Sequence, residues 1–439
     1  METYFHSVML DRDKCMGCTT CIKHCPTEAI RVRNGKARII KERCIDCGQC
    51  IRVCPHRAKK AVCDSFDKLS GYKYKVALPA PSFYGQFAGL NDIGIILTGL
   101  KKIGFDDVFE VARAAEIISD MTRSFMKKKD KLKYPAISSA CPACVRLIKK
   151  RFPQLIGNVI PHAAPVDLAA MMAREQAVSK TGLEPSEIGV FFITPCPAKM
   201  TETISPVGLA KAPMDGAISM SEVYIRLLNI IKDIKEPEVQ ATSGLIGIGW
   251  SISGGEGSAL LNEKFLAVDG IENVIKVLED IEDDKLSEVE FIELNACTQG
   301  CVGGCLTVEN PYVAKTRIRR LMKYLPVSRN KVGSDGIPEG LSWERDLEYT
   351  PIWKLDNNMQ AALTKMQEIN QFLKELPGLD CGSCGAPSCR AFAEDVVLGF
   401  AKADDCIFKM RERVQYMSGT GDADEYLPPP FRKNKEEDD

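Results

Sequence analysis

Histidine is nearly missing from this chain, with four residues in 439. So few imidazoles argue against a zinc-hydrolase or haem centre, which lean on histidine ligands. No apolar run approaches the roughly 18 residues that a membrane-spanning helix needs, so no membrane partner is expected. The opening METYFHSVML has no basic region followed by a long apolar one, so no signal peptide is expected. Charge of neither sign is in excess: a formal net charge of −1 leaves no electrostatic footprint for nucleic acid. Cysteine, by contrast, is abundant, with nineteen residues. In a chain expected in the reducing cytoplasm, tightly spaced cysteines point to metal rather than disulfides. The length suits two or more domains and a sizeable core.

Three short cysteine loops organise the middle of the chain. SSACPAC surrounds Cys141, TPCPAK surrounds Cys196, and ELNACTQGC holds Cys297 and Cys301. Each follows an apolar, β-rich run: Ala136-Ile137, IGVFFI and VEFIELN. In an α/β domain ligands collect where parallel strands end, so the loops can converge on one site. Four thiolates brought together suit a cubane iron–sulfur cluster. Pro142 fits the first position of a helix, which puts Cys141 at a helix N-terminus, where amides and dipole favour an anionic cluster. Gly300, Gly303 and Gly304 leave room for backbone to approach a bulky cofactor.

Two more cysteine groups flank these loops. CMGCTTCIKHCP and CIDCGQCIRVCP, within residues 10–60, each read C-x2-C-x2-C-x3-C-P. This is the bacterial two-cluster ferredoxin spacing, in which the fourth cysteine of each run ligates the other cluster. One 4Fe-4S cluster then takes Cys15, Cys18, Cys21 and Cys54, and the other takes Cys44, Cys47, Cys50 and Cys25. Near the C-terminus Cys381, Cys384, Cys389 and Cys406 form C-x2-C-x4-C-x16-C. This is similar to the small cubane-binding domain of corrinoid-protein and electron-bifurcation systems, with zinc as the alternative occupant. Cys63, Cys144 and Cys305 fall outside these sets and are expected to pack as small apolar residues. Cys144 is the one placed to line the central site.

The three central loops resemble the signatures TSCCPxW, MPCxxKxxE and ExMxCxxGCxxGG of the FeFe hydrogenases, a resemblance that extends over residues 1–310. It implies an H-cluster, a cubane joined through one cysteine to a di-iron unit carrying CO and cyanide. Carried over, Cys141, Cys196 and Cys297 hold the cubane, Cys301 bridges to the di-iron unit, and Lys199 pairs with a cyanide ligand. KVALPAPS resembles the segment facing the di-iron ligands at Ala80, Pro81 and Ser82, although an ordinary strand end with a Pro turn has the same look. Glu202 matches the last position of the second signature, and GLIGIGWSISGGEGSALL resembles a loop beside the H-cluster. The departures are informative. Ala140 stands where the family has its proton-relay cysteine, Thr194 and Asn295 replace two methionines, and Met121 and Thr122 fall where the family has two acids of its proton path. The nearest acids, Glu116 and Asp120, are expected to face solvent. The pattern is most similar to divergent, sensory members of the family.

The expected architecture is α/β: a two-cluster ferredoxin-like domain at 1–70, a central H-cluster domain with parallel sheets at 71–345, a linker helix in 346–377, a small iron–sulfur domain at 378–410 and a disordered tail at 411–439. The linker helix is expected from Asp356 to Leu376. There, Met359, Ala362, Met366, Ile369, Leu373 and Leu376 recur at helical spacing, a seam for docking on its own domain or for a homodimer. KKKDKLK at 127–133 and NKVGSDGIPEG at 330–340 are expected as loops. The resemblance implies a slow, reversible hydrogenase that interconverts H2 with protons and electrons and serves as an H2 sensor. Its redox partner would be a protein such as a ferredoxin, and a kinase or phosphatase in trans would read the signal. Slowness follows from Ala140, which cannot carry a proton; one acid–base group is typically worth on the order of 10²–10⁴ in rate. The rival reading is a non-catalytic scaffold or electron-transfer protein lacking the di-iron unit, against which Lys199 and Cys301 speak.

Overall fold

The structure, a computed structural model, describes residues 5–127, 133–332, 341–352 and 354–418. Most of the basic run at 127–133, the loop at 333–340 and the tail from 419 onward lie outside the described residues.

The N-terminal module carries four short strands, β1 (Val8–Leu10), β2 (Ile30–Arg33), β3 (Lys36–Ile39) and β4 (Lys59–Ala61). β1 pairs antiparallel with β4, and β2 with β3 across an Asn34-Gly35 turn. That dipeptide is the strongest short hairpin signal, because both turn residues take positive φ. Little apolar surface is enclosed, chiefly Ile22, Ile30, Ala37 and Ala58. A core that small needs a covalent or metal staple, which the eight cysteines of this module are spaced to supply.

The central region holds two parallel sheets built from β5 (Tyr74–Pro79), β6 (Asp107–Val108), β7 (Ala136–Ile137), β8 (Ile188–Thr194), β9 (Gly216–Ser219), β10 (Phe265–Asp269) and β11 (Phe291–Asn295). The strand orders are β6-β5-β8-β9 and β10-β11-β7. Helices cover both faces, so β8 is a continuous apolar run with every residue buried, as parallel strands require. The larger core forms around Leu78, Phe83, Phe191 and Ile193, and a second around Ile137, Leu147, Val274 and Ile292. The carboxyl ends of β5, β7, β8 and β11 lead respectively to Ala80, Ala140, Cys196 and Cys297. This is where open α/β sheets bind ligands. A basic helix, Pro311–Met322, is not evident from periodicity because only Ala314 and Ile318 of it are buried.

The N-terminal module rests on the helix Pro197–Glu202. Ser7 Oγ donates to the Pro197 carbonyl at 2.7 Å, and Thr201 Oγ1 donates to Asp46 Oδ2 at 2.7 Å. At the other end the helix Met359–Lys374 packs on the helix Cys389–Val397, burying Ile369, Leu376 and Phe392. The linker helix therefore begins later than expected at Asp356, since Asn358 caps it by accepting from the Gln360 and Ala361 N–H groups. Met359 and Leu363 remain exposed. The order expected to end at residue 410 instead continues, in a helix Ile407–Ser418. No helix among the described residues is long and apolar enough to cross a membrane.

Candidate metal centres

Each cysteine set inferred from spacing is gathered in space. Cys15, Cys18, Cys21 and Cys54 line one cavity, and Cys381, Cys384, Cys389 and Cys406 line another. The thiols of Cys44, Cys47 and Cys50 act electrostatically on one another and on Cys25. Burial pushes Cys50 up to about 12 and Cys44 and Cys47 well above the usual thiol range, with neighbouring thiols adding to the effect. Crowded thiols of this kind ionise only with a cation between them, and a coordinating metal deprotonates them outright.

The central cavity, of about 110 Å³, is lined by Cys141, Cys196, Cys297 and Cys301 together with Lys199 and Ala80-Pro81-Ser82. Cys141 caps the helix Pro142–Arg151, and Cys196 caps Pro197–Glu202, each followed by proline at the first helical position. A hydrogen bond from Cys144 lowers the Cys141 thiol to about 6, against burial and with help from Lys199. Cys144 is thus fully buried and directed at the Cys141 sulfur, not at the cavity. Cys301 is exposed to the cavity yet enclosed by protein, and burial holds its thiol well up. The clearance expected at Gly300, Gly303 and Gly304 is taken up by protein: a Cβ there would meet Ser253 N, the Thr298 carbonyl oxygen and the Pro195 carbonyl oxygen at 2.6, 2.1 and 2.2 Å.

Two donors in this cavity fit an anionic, acceptor-rich ligand. Ser82 is 0% exposed, and its Oγ has no hydrogen-bond partner among the described residues. Lys199 lines the same mostly apolar space, and its charge acts on Cys141, Cys196 and Cys301. Buried donors are rarely left unpaired, so the residues present fit an anionic, acceptor-rich group beside Cys301.

The departures from the family pattern have local consequences. Thr194 Oγ1 donates to the Cys196 carbonyl at 2.9 Å and accepts from the Cys196 N–H at 3.2 Å, fixing the turn. Asn295 donates to Glu293 Oε1 at 2.7 Å. Ala140 lines the cavity but carries nothing ionisable; its N–H donates to Ser138 Oγ at 3.2 Å, and Ser138 Oγ donates to Glu256 Oε2 at 2.7 Å. Glu256 and Glu293 both line the cavity, 8% and 2% exposed. Burial, then the neighbouring Glu293 charge, raises Glu256 to about 8. Burial also raises Glu293, while the Gly257 and Gly254 N–H groups oppose it. Neither acid was singled out from the sequence.

Glu116 does not face solvent as expected. It is 1% exposed and accepts from the Gly244, Arg329 and Asn330 N–H groups and from Asn330 Nδ2. Those bonds brace the Gly-rich segment whose Trp250 and Ser251 line the cavity. Asp120 pairs with Arg123 at 2.9 Å, and Met121 and Thr122 are buried. Cys63 is half-buried against the larger core. Cys305 sits against Gly48, where a Cβ would lie 2.6 Å from its sulfur.

Glu202 forms a buried ion pair with Arg146 and accepts from the Val207 N–H at 3.1 Å. Removing one partner of such a pair leaves the other charge uncompensated. Glu202→Gln is expected to destabilise the central domain by roughly 3–5 kcal/mol, read as a lower thermal midpoint of cluster-loaded protein. An unchanged midpoint would remove the pair from the structural account.

Arg52 ties the two metal regions together. Its Nη2 donates to the Gly303 carbonyl at 2.6 Å. Burial would lower its pKa, but the charges of Cys297 and Cys305, a hydrogen bond to Cys297 and the Cys47 charge raise it instead. One guanidinium therefore sits between thiols of the second ferredoxin-type set and of the central set. Arg52→Gln should lower the midpoint potentials of both clusters, because the cation favours the more negative reduced form. An EPR-monitored redox titration that gives unchanged midpoints would contradict this.

A family model described as "Iron only hydrogenase large subunit, C-terminal domain" matches residues 73–235 and 230–305. A "4Fe-4S dicluster domain" matches 7–55, and a "Putative Fe-S cluster" domain matches 376–408. The periplasmic Fe hydrogenase large subunit of Nitratidesulfovibrio vulgaris is 25% identical over 362 residues, 68% of this chain and 86% of that protein. Iron hydrogenase 1 of Clostridium pasteurianum is 27% identical over 312 residues, 63% of this chain and 53% of that one. Among solved structures, an FeFe-hydrogenase from Chlamydomonas reinhardtii superposes at a TM-score of 0.46 with 17% identity, covering 58% of this chain and 86% of its own.

Proposed function

This chain belongs to the iron-only hydrogenase large-subunit family, and on that premise we propose that it is a slow, reversible hydrogenase whose task is to sense H2. The observation that carries the reading is the central cavity, which Cys301, Lys199 and Ala140 line together with Ser82, whose hydroxyl has no partner among the described residues. Cys141, Cys196, Cys297 and Cys301 would hold a cubane, with Cys301 shared with a di-iron unit. That unit, when bound, supplies the heterolytic cleavage of H2. The protein's own part is to orient the unit through Lys199 and Ser82, to exclude bulk water and to move the proton.

Proton movement sets the pace. In place of a thiol at 140, the carboxyl groups lining the cavity are those of Glu256, linked to Ala140 through Ser138, and its neighbour Glu293. Both carboxyls are buried, so release of the proton is slow. Electrons leave through the N-terminal clusters toward a one-electron carrier such as a ferredoxin, and a partner kinase or phosphatase reads the redox state. The exposed Met359 and Leu363 flank of the linker helix is available to such a partner or to a second copy of the chain. A scaffold without the di-iron unit would have no use for Lys199 beside a buried Ser82 in this cavity.

Dye-coupled H2 oxidation by fully matured protein tests the rate. Turnover at least about 10²-fold below that of family members with the relay cysteine is expected. A rate equal to theirs would overturn both the slow reading and its link to Ala140.

A further inference from the structure

The C-terminal thiol set is not on a loose arm. It lies directly against the N-terminal module, on the side of the first cysteine set. Val32 in β2 lines the cavity of Cys15, Cys18, Cys21 and Cys54, and its N–H donates to the Gly385 carbonyl at 2.8 Å. Gly385 follows Cys384, whose carbonyl accepts from Arg33 Nη1 at 3.0 Å. Gly382, between Cys381 and Cys384, faces Lys23 and Ile22 beside Cys21; a Cβ there would lie 3.3 Å from Lys23 Cε and 3.5 Å from Ile22 Cδ1. At Gly385 the approach is closer, since a Cβ would fall 2.0 Å from the Val32 carbonyl oxygen. Its φ of +76° is also one that other residues rarely adopt.

Charge locks this contact. Asp395 accepts from Arg31 Nε at 2.7 Å and from Arg33 Nη2 at 2.5 Å. The Asp395 and Arg31 side chains are 8% and 6% exposed. Ser388 Oγ, at the start of the same C-terminal helix, donates to Glu28 Oε1 at 3.1 Å. A desolvated carboxylate between two guanidinium groups is stable only while all three stay together. A mobile output domain would expose and rehydrate them at every opening.

We propose that the C-terminal cluster is the fixed end station of the electron relay, wired through the Val32–Gly385 backbone contact to the cluster of Cys15, Cys18, Cys21 and Cys54. Val32 lines the first thiol cradle and Gly385 follows a cysteine of the second, so a single backbone hydrogen bond joins the two linings. With cubanes held by Cys15, Cys18, Cys21 and Cys54 and by Cys381, Cys384, Cys389 and Cys406, each transfer would move one electron, the first being oxidised by one charge and the second reduced by one. No bond is made or broken and no proton crosses. Only the source of the electrons, two from each H2 with two protons released, rests on the hydrogenase reading. The final acceptor would be a one-electron carrier protein.

The test needs neither H2 nor the di-iron unit, so its failure is separable from failure of the hydrogenase reading. Full-length protein with all cubanes reconstituted is reduced with dithionite and examined by EPR, beside Gly385→Val and Cys384→Ser at measured iron content. Wild type should carry a magnetic interaction beyond that between the two N-terminal cubanes. Gly385→Val should lose that component while keeping its iron. Should Gly385→Val fail to load, the wild-type spectrum still decides. If it equals the Cys384→Ser spectrum plus one uncoupled cubane, the two clusters are not neighbours and the proposal is overturned.

Discussion

Glu256→Gln is expected to lower H2 turnover in both directions by about 10²-fold, the lower end of what one acid–base group is worth, while the CO and cyanide infrared bands of the matured protein stay in place. The amide keeps the size of the side chain and its hydrogen bond with Ser138 but cannot carry a proton. The pH profile adds a signature that a purely structural residue would not give. Burial and Glu293 hold Glu256 near 8, above the usual carboxylate range, so at neutral pH it keeps its proton. H2 evolution draws on the protonated acid and should fall as pH climbs through about 8. H2 oxidation needs the ionised base and should rise over the same interval. Both limbs should vanish in Glu256→Gln. Turnover and pH profiles that match wild type would mean that the proton leaves another way.

Lys199→Ala is expected to act earlier, on cofactor retention. The ammonium is the positive side chain lining the central cavity. Without it, an anionic di-iron unit would be buried against thiolates of the same sign, and uncompensated buried charge is among the largest single penalties a fold can carry. Matured Lys199→Ala should show CO and cyanide bands reduced at least about tenfold relative to wild type, with loss of one charged hydrogen bond of roughly 1.5–3 kcal/mol setting that scale. Its cubane absorption should be unchanged. Full-intensity bands would show that Ser82 and the backbone suffice, and Lys199 would lose its assigned role.

Metal sites leave a local record in sequence because four ligands must meet with little chain between them. That is why the two ferredoxin-type runs and the C-terminal set were legible; the three central loops, far apart in sequence, were joined instead by their place after β-rich runs and by their resemblance to the family signatures. Strand ends were legible for a related reason: a buried parallel strand such as IGVFFI stands out as an unbroken apolar run. Glu256 was not legible, and Glu293 was legible only as a motif position, not as a buried acid lining the cavity. They lie in a Gly-rich loop and a strand, distant in sequence, and no spacing rule joins them. Glu293 did leave a signal: it stands at the first position of the signature ExMxCxxGCxxGG and inside the apolar run FIELN, where an acid is seldom fully buried without a purpose. Glu116 misled because its donors come from Gly244 and from Arg329 and Asn330, segments that helix periodicity cannot see. The contact between Val32 and Gly385 was likewise hidden, as it joins backbone atoms from opposite ends of the chain.

The central claim, a hydrogenase-type cofactor that responds to H2 in the Cys301–Lys199–Ser82 cavity, is tested most directly by infrared spectroscopy of anaerobically matured protein before and after H2. The account predicts CO and cyanide stretching bands that shift on adding H2 and return when it is removed. Full cubane loading with no such bands, or bands indifferent to H2, would contradict it.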